Sequence, residues 1–295
     1  MTEILLSVFF ISALLIFLST GVWVALSMIG VSTIAMTLFT TRPVGDAMAT
    51  TIWGTSSSWT LTALPLFVWM GEILFRTKLS ENLFEGLSPW MQKLPGGLIH
   101  VNVVGCALFA AISGSSAATV ATVGKMSIPE LRKRNYPEKI LLGSLAGSGT
   151  LGLLIPPSII LIIYGVTVQE SIAKLFVAGI IPGIMIALIF MGYVILWSLF
   201  NKKEMPSINN QYSFIDKIKK SGQLIPVIIL ILSVIGSIYT GIATATEAAS
   251  LGVVGALFLS YFQKSLSWSN FKTSLLGATK TSCMISFILA GSAFL

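Results

Sequence analysis

The chain has 295 residues, of which 55% are hydrophobic and 10% charged, and its mean hydropathy is +0.90. This composition predicts an all-α polytopic membrane protein, because the long apolar runs lack the alternation of outer-membrane β-strands. The net charge of +7 does not indicate a nucleic-acid partner, since the basic residues lie in short loops between apolar segments. A single histidine and two isolated cysteines, Cys106 and Cys283, argue against a transition-metal site, a disulfide or an organic cofactor.

The first apolar run, residues 4–39, is too long for a single crossing. As one helix it would measure about 54 Å, whereas the hydrocarbon core is about 30 Å thick. Ser19-Thr20-Gly21 is the natural break, which leaves open whether the run crosses once or twice. A polar connection, residues 40–58, and an apolar span, residues 59–75, are expected to follow.

Residues 76–97 are amphipathic, with apolar positions at helical spacing. This pattern predicts an arm that lies along the membrane interface. The apolar positions are Leu79, Leu83, Leu87, Trp90 and Met91.

Residues 98–124 consist of two short apolar arms around a polar tip that runs from Ser113 to Thr119. Each arm, about 98–111 and 117–123, is too short to cross the membrane, which requires about 20 helical residues. We therefore expect a re-entrant hairpin whose hydroxyls and carbonyls ligate a hard cation such as sodium. The alternative is one crossing helix with small-residue packing contacts.

Residues 140–166 are predicted to form a discontinuous helix. Three glycines precede Pro156-Pro157, and this pair removes two backbone donors and disfavours helical geometry at Ile155. Unpaired carbonyls at membrane depth are tolerated only where they face protein or a polar cavity. We expect the break to offer carbonyls and a helix N-terminus to an ion or an anion. The alternative is a proline kink repaired by the hydroxyls of Ser148, Thr150 and Ser158.

The remaining chain predicts four further apolar spans and two strongly basic loops. The basic loops, residues 125–139 and 201–221, are both cytoplasmic by the positive-inside rule. This places the N-terminus outside if the hairpin is re-entrant and residues 4–39 cross twice. The spans are residues 175–200, 224–239, 247–262 and 275–295.

Two short matches recur at the same offset: residues 66–71 resemble residues 286–291, and residues 20–22 resemble residues 240–242. With the topology above, the two units start on opposite sides of the membrane and form an inverted repeat. Residues 1–205 are then the first repeat, and residues 206–295 begin the second. The second unit reaches residue 295 before its own hairpin, so we expect that the sequence is incomplete or that the missing half-site lies elsewhere.

Three segments resemble signatures of one family, the large membrane subunit of tripartite ATP-independent periplasmic (TRAP) transporters, DctM-like or SiaM-like. They are ISGSSAATVA at residues 112–121, GTLGLLIPPS at 149–158 and YTGIATATEAA at 239–249, and AGIIPG at 178–183 also fits. Ala245 stands where the family usually has proline. The family's C-terminal third, which carries a second hairpin and a second Pro-Pro segment, is absent.

The resemblance implies a sodium-coupled importer of organic acid anions, of the sialic acid or C4-dicarboxylate type, working by an elevator motion in the bacterial inner membrane. It implies Na⁺ as the coupling ion and two protein partners, a small membrane subunit and a periplasmic substrate-binding protein. It also implies that the hairpin tip and the helix break form a sodium site and one wall of the substrate site. The candidate sodium-site residues are Ser113, Gly114, Ser115, Ser116, Thr119, Gly149, Thr150, Gly152, Pro156 and Pro157. The candidate substrate contacts are Ser116, Thr119 and Ser158.

Two other classes of function share some of these features. A stand-alone sodium–dicarboxylate or citrate carrier would share the inverted repeat but would not depend on a soluble binding protein. A membrane-embedded enzyme would need a nucleophile–base pair or a metal cluster, and His100 has no such neighbours in the sequence. Glu72 and Glu247 lie in apolar spans, where we expect structural pairing, for example with Lys or Arg at a span end, rather than ion ligation.

Overall fold

The computed structural model describes residues 2–77, 79–206, 213–222 and 224–295, and all regular elements in these ranges are helical. The all-α prediction is confirmed. Short 3-10 turns occur at Trp59–Thr62, Thr150–Leu153 and Lys202–Glu204. The α-helices are α1 Thr2–Ser19, α2 Val24–Phe39, α3 Val44–Ser56, α4 Ala63–Phe75, α5 Leu79–Met91, α6 Ile99–Ser113, α7 Ser116–Lys133, α8 Glu138–Gly149, α9 Ile159–Val168, α10 Ile172–Phe200, α11 Phe214–Ser221, α12 Ile225–Tyr239, α13 Ala245–Phe262 and α14 Trp268–Phe294.

Within the described residues, three helices are long and apolar enough to cross a membrane: α10, α13 and α14. The longest, α10, has 29 residues. Four shorter helices are also strongly apolar, namely α1, α2, α6 and α9. An α-helix satisfies its own backbone hydrogen bonds, so a chain of this kind is suited to lipid.

The helices form two compact units. The first comprises Met1–Thr62 and Lys280–Leu295. In it α1 packs against α2, and the break predicted at residues 19–21 is confirmed, because Gly21 has a φ of +80° that ends the first helix. Gly291 meets α2 so closely that an added Cβ would lie 2.8 Å from the Ala25 carbonyl oxygen.

Most of the connection expected over residues 40–58 is helical, which the sequence analysis did not predict. Residues 44–56 form α3, which has no buried residue. A helix without a buried stripe lacks the apolar periodicity by which sequence patterns reveal helices.

The second unit, Ala63–Thr279, is built around α6. Most of α6 is buried, and it packs against α4, α5, α7, α8 and α10. On the other side of α4 lies α13, where Gly252 permits close approach to Met70. The core of this unit includes the fully buried Phe109, Phe176 and Leu64.

The helix predicted within residues 76–97 is confirmed as α5. Its apolar residues Leu83, Phe84 and Leu87 are buried, and the helix packs against α6, α7 and α11. The position of this arm along the membrane interface stays a prediction.

The second helix of the hairpin, α7, is longer than the predicted second arm. The sequence placed its end near residue 123 and a basic loop at 125–139, whereas α7 continues to Lys133. The basic residues of its last turn face solvent, and they interact favourably with the helix C-terminus. Only residues 134–137 separate α7 from α8, and Arg132 Nε bonds Glu138 Oε1 at 2.6 Å across that turn.

The two turns matched by the sequence repeat have the same backbone conformation. Gly21, between α1 and α2, has a φ of +80°, and Gly241, between α12 and α13, has a φ of +73°. Side chains are strained at such angles, which accounts for glycine at both positions. The inverted repeat and its boundary at residue 205 stay predictions.

Candidate functional site

The predicted hairpin is present as two helices joined by a tight turn. Gly114, with a φ of +59°, ends α6, and the Ser115 side chain caps α7 by accepting a bond from Ala118 N at 3.4 Å. The helices run antiparallel, because Gly105 on α6 faces Val123 on α7. The geometry fits a hairpin whose tip lies at residues 113–116.

The hydroxyl groups at the tip converge. Ser113 Oγ lies 3.0 Å from Thr119 Oγ1, and Thr119 Oγ1 donates to the Ser115 carbonyl at 2.8 Å. Ser113 Oγ also donates to that carbonyl, at 3.3 Å. Ser116 Oγ is buried and has no hydrogen-bond partner among the described residues. Three predicted site residues therefore share one network, and the fourth hydroxyl beside them is unpaired.

The predicted break in the second segment is confirmed. Helix α8 ends at Gly149 and α9 begins at Ile159, with a 3-10 turn and Pro156-Pro157 between them. Both prolines are buried. The discontinuous helix is slightly longer than predicted, since α8 begins at Glu138 and α9 ends at Val168.

Some carbonyls of the break are already satisfied within it. The Leu151 carbonyl accepts bonds from Leu154 N at 3.0 Å and Ile155 N at 2.9 Å. The Leu153 carbonyl accepts a bond from Ser158 Oγ at 2.6 Å. The bond from Ser158 is the hydroxyl repair that the kink alternative expects, while the Leu151 carbonyl is satisfied by two backbone N–H groups.

The hairpin tip lies directly on the break. Ile159 N, at the start of α9, donates to the Gly114 carbonyl at 3.2 Å. An added Cβ on Gly114 would lie 2.7 Å from the Pro157 carbonyl oxygen, and one on Gly152 would lie 2.8 Å from Ser116 N. Gly149 is in contact with Val120. Two segments far apart in sequence thus meet through glycines that leave no room for a side chain.

We call the hairpin tip, Ser113 to Thr119, and the helix break on which it lies the cluster. One predicted site residue lies outside it. Thr150 is exposed, and its hydroxyl donates to the Gly147 carbonyl at 2.7 Å within its own helix turn. Thr119 and Ser158 are fully buried and hydrogen-bonded to backbone carbonyls. Among the candidate substrate contacts, Ser116 is the one whose hydroxyl is unpaired in the described part of the chain.

Sequence reasoning missed three glycines that support the cluster from outside. An added Cβ on Gly179 of α10 would lie 2.7 Å from the Leu154 carbonyl, and one on Gly183 would lie 2.9 Å from the Ile155 side chain. An added Cβ on Gly71 of α4 would lie only 3.0 Å from Ser113 Cα, so a side chain there would crowd the hairpin tip. The spacing of Gly179 and Gly183 by four residues is a signal for close helix packing.

The donor set of the cluster is made of hydroxyl and carbonyl oxygens without a carboxylate. Hard cations such as sodium bind neutral oxygens of this kind, whereas transition metals prefer nitrogen and sulfur. Among the described residues, no group of three or more His, Cys, Asp or Glu is arranged to hold a metal ion. The oxygens present are of the chemical kind that can ligate an alkali cation.

The two acidic residues of the apolar spans have structural roles. Glu72 Oε2 pairs with Arg76 Nη2 at 2.9 Å, which confirms the expected basic partner. Glu247 also has a structural partner, but it is not a basic residue: Glu247 lies in the first turn of α13 and forms a capping box with Thr244. A carboxylate is favourable there because it satisfies free N–H groups at the positive end of the helix.

The amino-acid sequence is similar to those of known membrane permeases. The family model described as the DctM component of the tripartite ATP-independent periplasmic transporter matches residues 11–295. The C4-dicarboxylate TRAP transporter large permease protein DctM of Pseudomonas aeruginosa is 32% identical over 247 residues, which are 83% of this chain and 57% of the relative. The protein of the same name from Rhodobacter capsulatus is 31% identical over 306 residues, which cover 95% of this chain and 68% of the relative.

A third relative is the 2,3-diketo-L-gulonate TRAP transporter large permease protein YiaN of Escherichia coli, 32% identical over 252 residues, 83% of this chain and 57% of YiaN. The chain spans about half the length of several curated relatives that it matches. These relatives are transport permeases and not enzymes. The chain belongs to the DctM-component family of tripartite ATP-independent periplasmic transporters.

Proposed function

We propose that this chain provides the first half-site of a sodium-coupled importer of organic acid anions in the bacterial inner membrane. The substrate class rests on the names of relatives, which specify C4-dicarboxylate, 2,3-diketo-L-gulonate and ectoine permeases. For this chain we propose a carboxylate, with C4-dicarboxylates and sialic acid as the candidates. A small membrane subunit and a periplasmic binding protein complete the proposed transporter.

The observation that carries the proposal is the hydroxyl cluster held against the helix break. Ser113, Ser116 and Thr119 lie at the hairpin turn, where the Gly114 carbonyl accepts a hydrogen bond from Ile159 N. Leaving a buried hydroxyl unpaired costs about 1–3 kcal/mol. A ligand oxygen or a cation at Ser116 Oγ would recover that cost, which supports a binding role over mere helix packing.

We assign the cation to the neutral oxygens of Ser113, Ser116 and Thr119. Sodium is co-transported in this proposal, so it must bind weakly enough to leave. A site without a carboxylate provides this, because each full charge added would strengthen the attraction to the cation.

We assign the substrate anion to the two helix N-termini that meet at the cluster. Helix α7 begins at Ser116 and α9 begins at Ile159, beside the contact between Gly114 and the break. The N-terminus of a helix carries a partial positive charge and free N–H groups, which attract carboxylates. An elevator motion would carry this whole cluster across the membrane, since α6, α7 and α8 pack on one another.

Sodium dependence is the direct test. In vesicles containing the complete transporter, we expect organic acid uptake to require an inward sodium gradient and to fall to background when potassium replaces sodium. Omitting the binding protein should also abolish uptake, whereas a stand-alone carrier would not need it.

In the same assay, Ser116→Ala should raise the half-saturating sodium concentration about tenfold, because one of the few cation oxygens is lost. A tenfold change corresponds to about 1.4 kcal/mol.

The matched control for Ser116→Ala is Ser250→Ala, an exposed hydroxyl on α13 that bonds Thr246 O within its own helix. It should leave sodium affinity unchanged. Uptake that is equally fast in potassium would contradict the proposal, as would a Ser116→Ala transporter with wild-type sodium affinity.

The re-entrant form of the hairpin predicts that its two outer ends lie on one side of the membrane. Lys93 precedes the first arm and Lys133 ends the second, and both are exposed. Single cysteines at these positions, in a Cys283→Ser background, should react with a membrane-impermeant maleimide from the same side. Reaction from opposite sides would mean that α6 and α7 together cross the membrane.

A further inference from the structure

Helix α11, Phe214–Ser221, has an apolar side that is largely exposed, although the Phe214 ring meets Trp90 edge to face with 6.4 Å between the ring centroids. Phe214 is 66% exposed, Ile215 is 75% exposed and Ile218 is 53% exposed. On the opposite side Lys217 is only 8% exposed. The usual arrangement of a surface helix is thus reversed, with isoleucine outside and a lysine buried.

Contacts with α5 explain the buried lysine. Lys217 Nζ lies 5.2 Å from the centroid of the Trp90 ring, a cation–π contact. Trp90 Nε1 donates to Ser221 Oγ at 2.7 Å, and Ser221 Oγ in turn donates to the Gly86 carbonyl at 3.4 Å. These contacts fix the rotation of α11, so that Ile215 and Ile218 are directed away from the protein.

The position of α11 in the chain places it at the edge of the apolar part of the molecule. Residues 222–224 link it to α12 and span at most about 14 Å. In α12 four large aliphatic side chains are exposed: Ile225, Ile228, Ile229 and Leu232. In a membrane permease such a surface faces lipid, so α11 lies where that surface begins.

Charge around α11 favours one kind of surface. Lys219 is in the last turn of the helix, and Lys203 lies in the same connection between α10 and α12; both are exposed. The connection also carries exposed Glu204 and Asp216, so its lysines are not alone. A helix with an exposed apolar side and lysine in its last turn is the pattern of a helix that lies in the headgroup region of a membrane with anionic lipids.

We propose that α11 is a membrane-surface anchor that binds anionic phospholipid. Ile215 and Ile218 insert at the boundary between headgroups and acyl chains, while Lys219 and Lys203 contact headgroup phosphates. The Trp90–Lys217 contact holds the helix in the rotation that this requires. This role is independent of sodium coupling and of the transported substrate.

The insertion is tested with a fluorophore on single cysteines at Ile215, Ile218 and Asp216, in the Cys283→Ser chain reconstituted in phosphatidylcholine vesicles containing phosphatidylglycerol. Asp216 is the matched control, since it is exposed on the polar side of the same helix. Labels at 215 and 218 should be quenched by headgroup-proximal doxyl lipid and be several-fold less sensitive to aqueous iodide than the label at 216. Equal iodide quenching at all three would overturn the proposal, as would shielding of 215 and 218 from both quenchers, which means that protein covers them.

The anionic preference is tested by removing phosphatidylglycerol from the vesicles. Lipid quenching at position 218 should fall about twofold for the wild-type charges and should not change with lipid charge in the Lys203→Gln/Lys219→Gln variant. Lys139→Gln, an exposed lysine at the start of α8, is the control and should keep the wild-type response. Retention of the full dependence on phosphatidylglycerol in the double variant would refute anionic-lipid binding by α11.

Discussion

Replacing Gly152 by alanine is expected to reduce transport by tenfold or more while the protein still folds. A Cβ at this position would lie 2.8 Å from Ser115 C and 2.8 Å from Ser116 N. Both are backbone atoms that cannot rotate away, so the hairpin tip must move off the break. Overpacking of this kind typically costs about 1–3 kcal/mol, and it falls on the contact that positions the Ser116 hydroxyl. The measurement is uptake by the complete transporter, together with its thermal stability in sodium and in potassium.

Gly143→Ala is the matched control for this substitution. Gly143 is exposed on α8, and an added Cβ there would have no neighbour within 4 Å. This control should transport normally and gain a little stability, because alanine favours helix more than glycine does. If Gly152→Ala transports at the wild-type rate, the contact between tip and break is not needed for function.

Helices with a buried apolar stripe or a continuous apolar run could be predicted from the sequence. Helices that lack both features could not. The spans that became α10, α12 and α13 begin and end within a few residues of their predicted bounds. Helix α3 has no buried residue, and its sequence predicts only a polar connection. The length of α7 was missed because its second half is charged, so hydrophobicity ended where the helix did not.

The site was predictable in its parts, whereas its packing was not. Glycine and hydroxyl clusters beside Pro156-Pro157 marked the two segments, and a helix interrupted at membrane depth is a known sign of a binding site. Sequence alone does not tell which carbonyls are free, and Leu151 and Leu153 use theirs internally. Nor does it reveal that Gly179 of α10 packs closely against the Leu154 carbonyl.

The Pro156→Ala/Pro157→Ala variant is expected to fold but to lose both transport and stabilisation by sodium. The two alanines add backbone donors at positions 156 and 157 that reach the carbonyls of Gly152 and Leu153 in helical geometry. Alanine is favoured over proline in a helix interior by about 3 kcal/mol per residue, so the break tends to close. Closure would rotate Ile159 N away from the Gly114 carbonyl, to which it now donates at 3.2 Å.

Thermal stability measured against sodium concentration separates a binding site from a bend. A ligand at one hundred times its Kd stabilises the folded state by about 2.7 kcal/mol, so the wild type should show a rising melting temperature. The double variant should show a flat profile. Pro129→Ala, which restores a donor within the already continuous α7, is the control and should keep the wild-type rise. If the double variant also keeps that rise, the residues from Gly149 to Ser158 form only a bend, and the sodium ligands lie elsewhere.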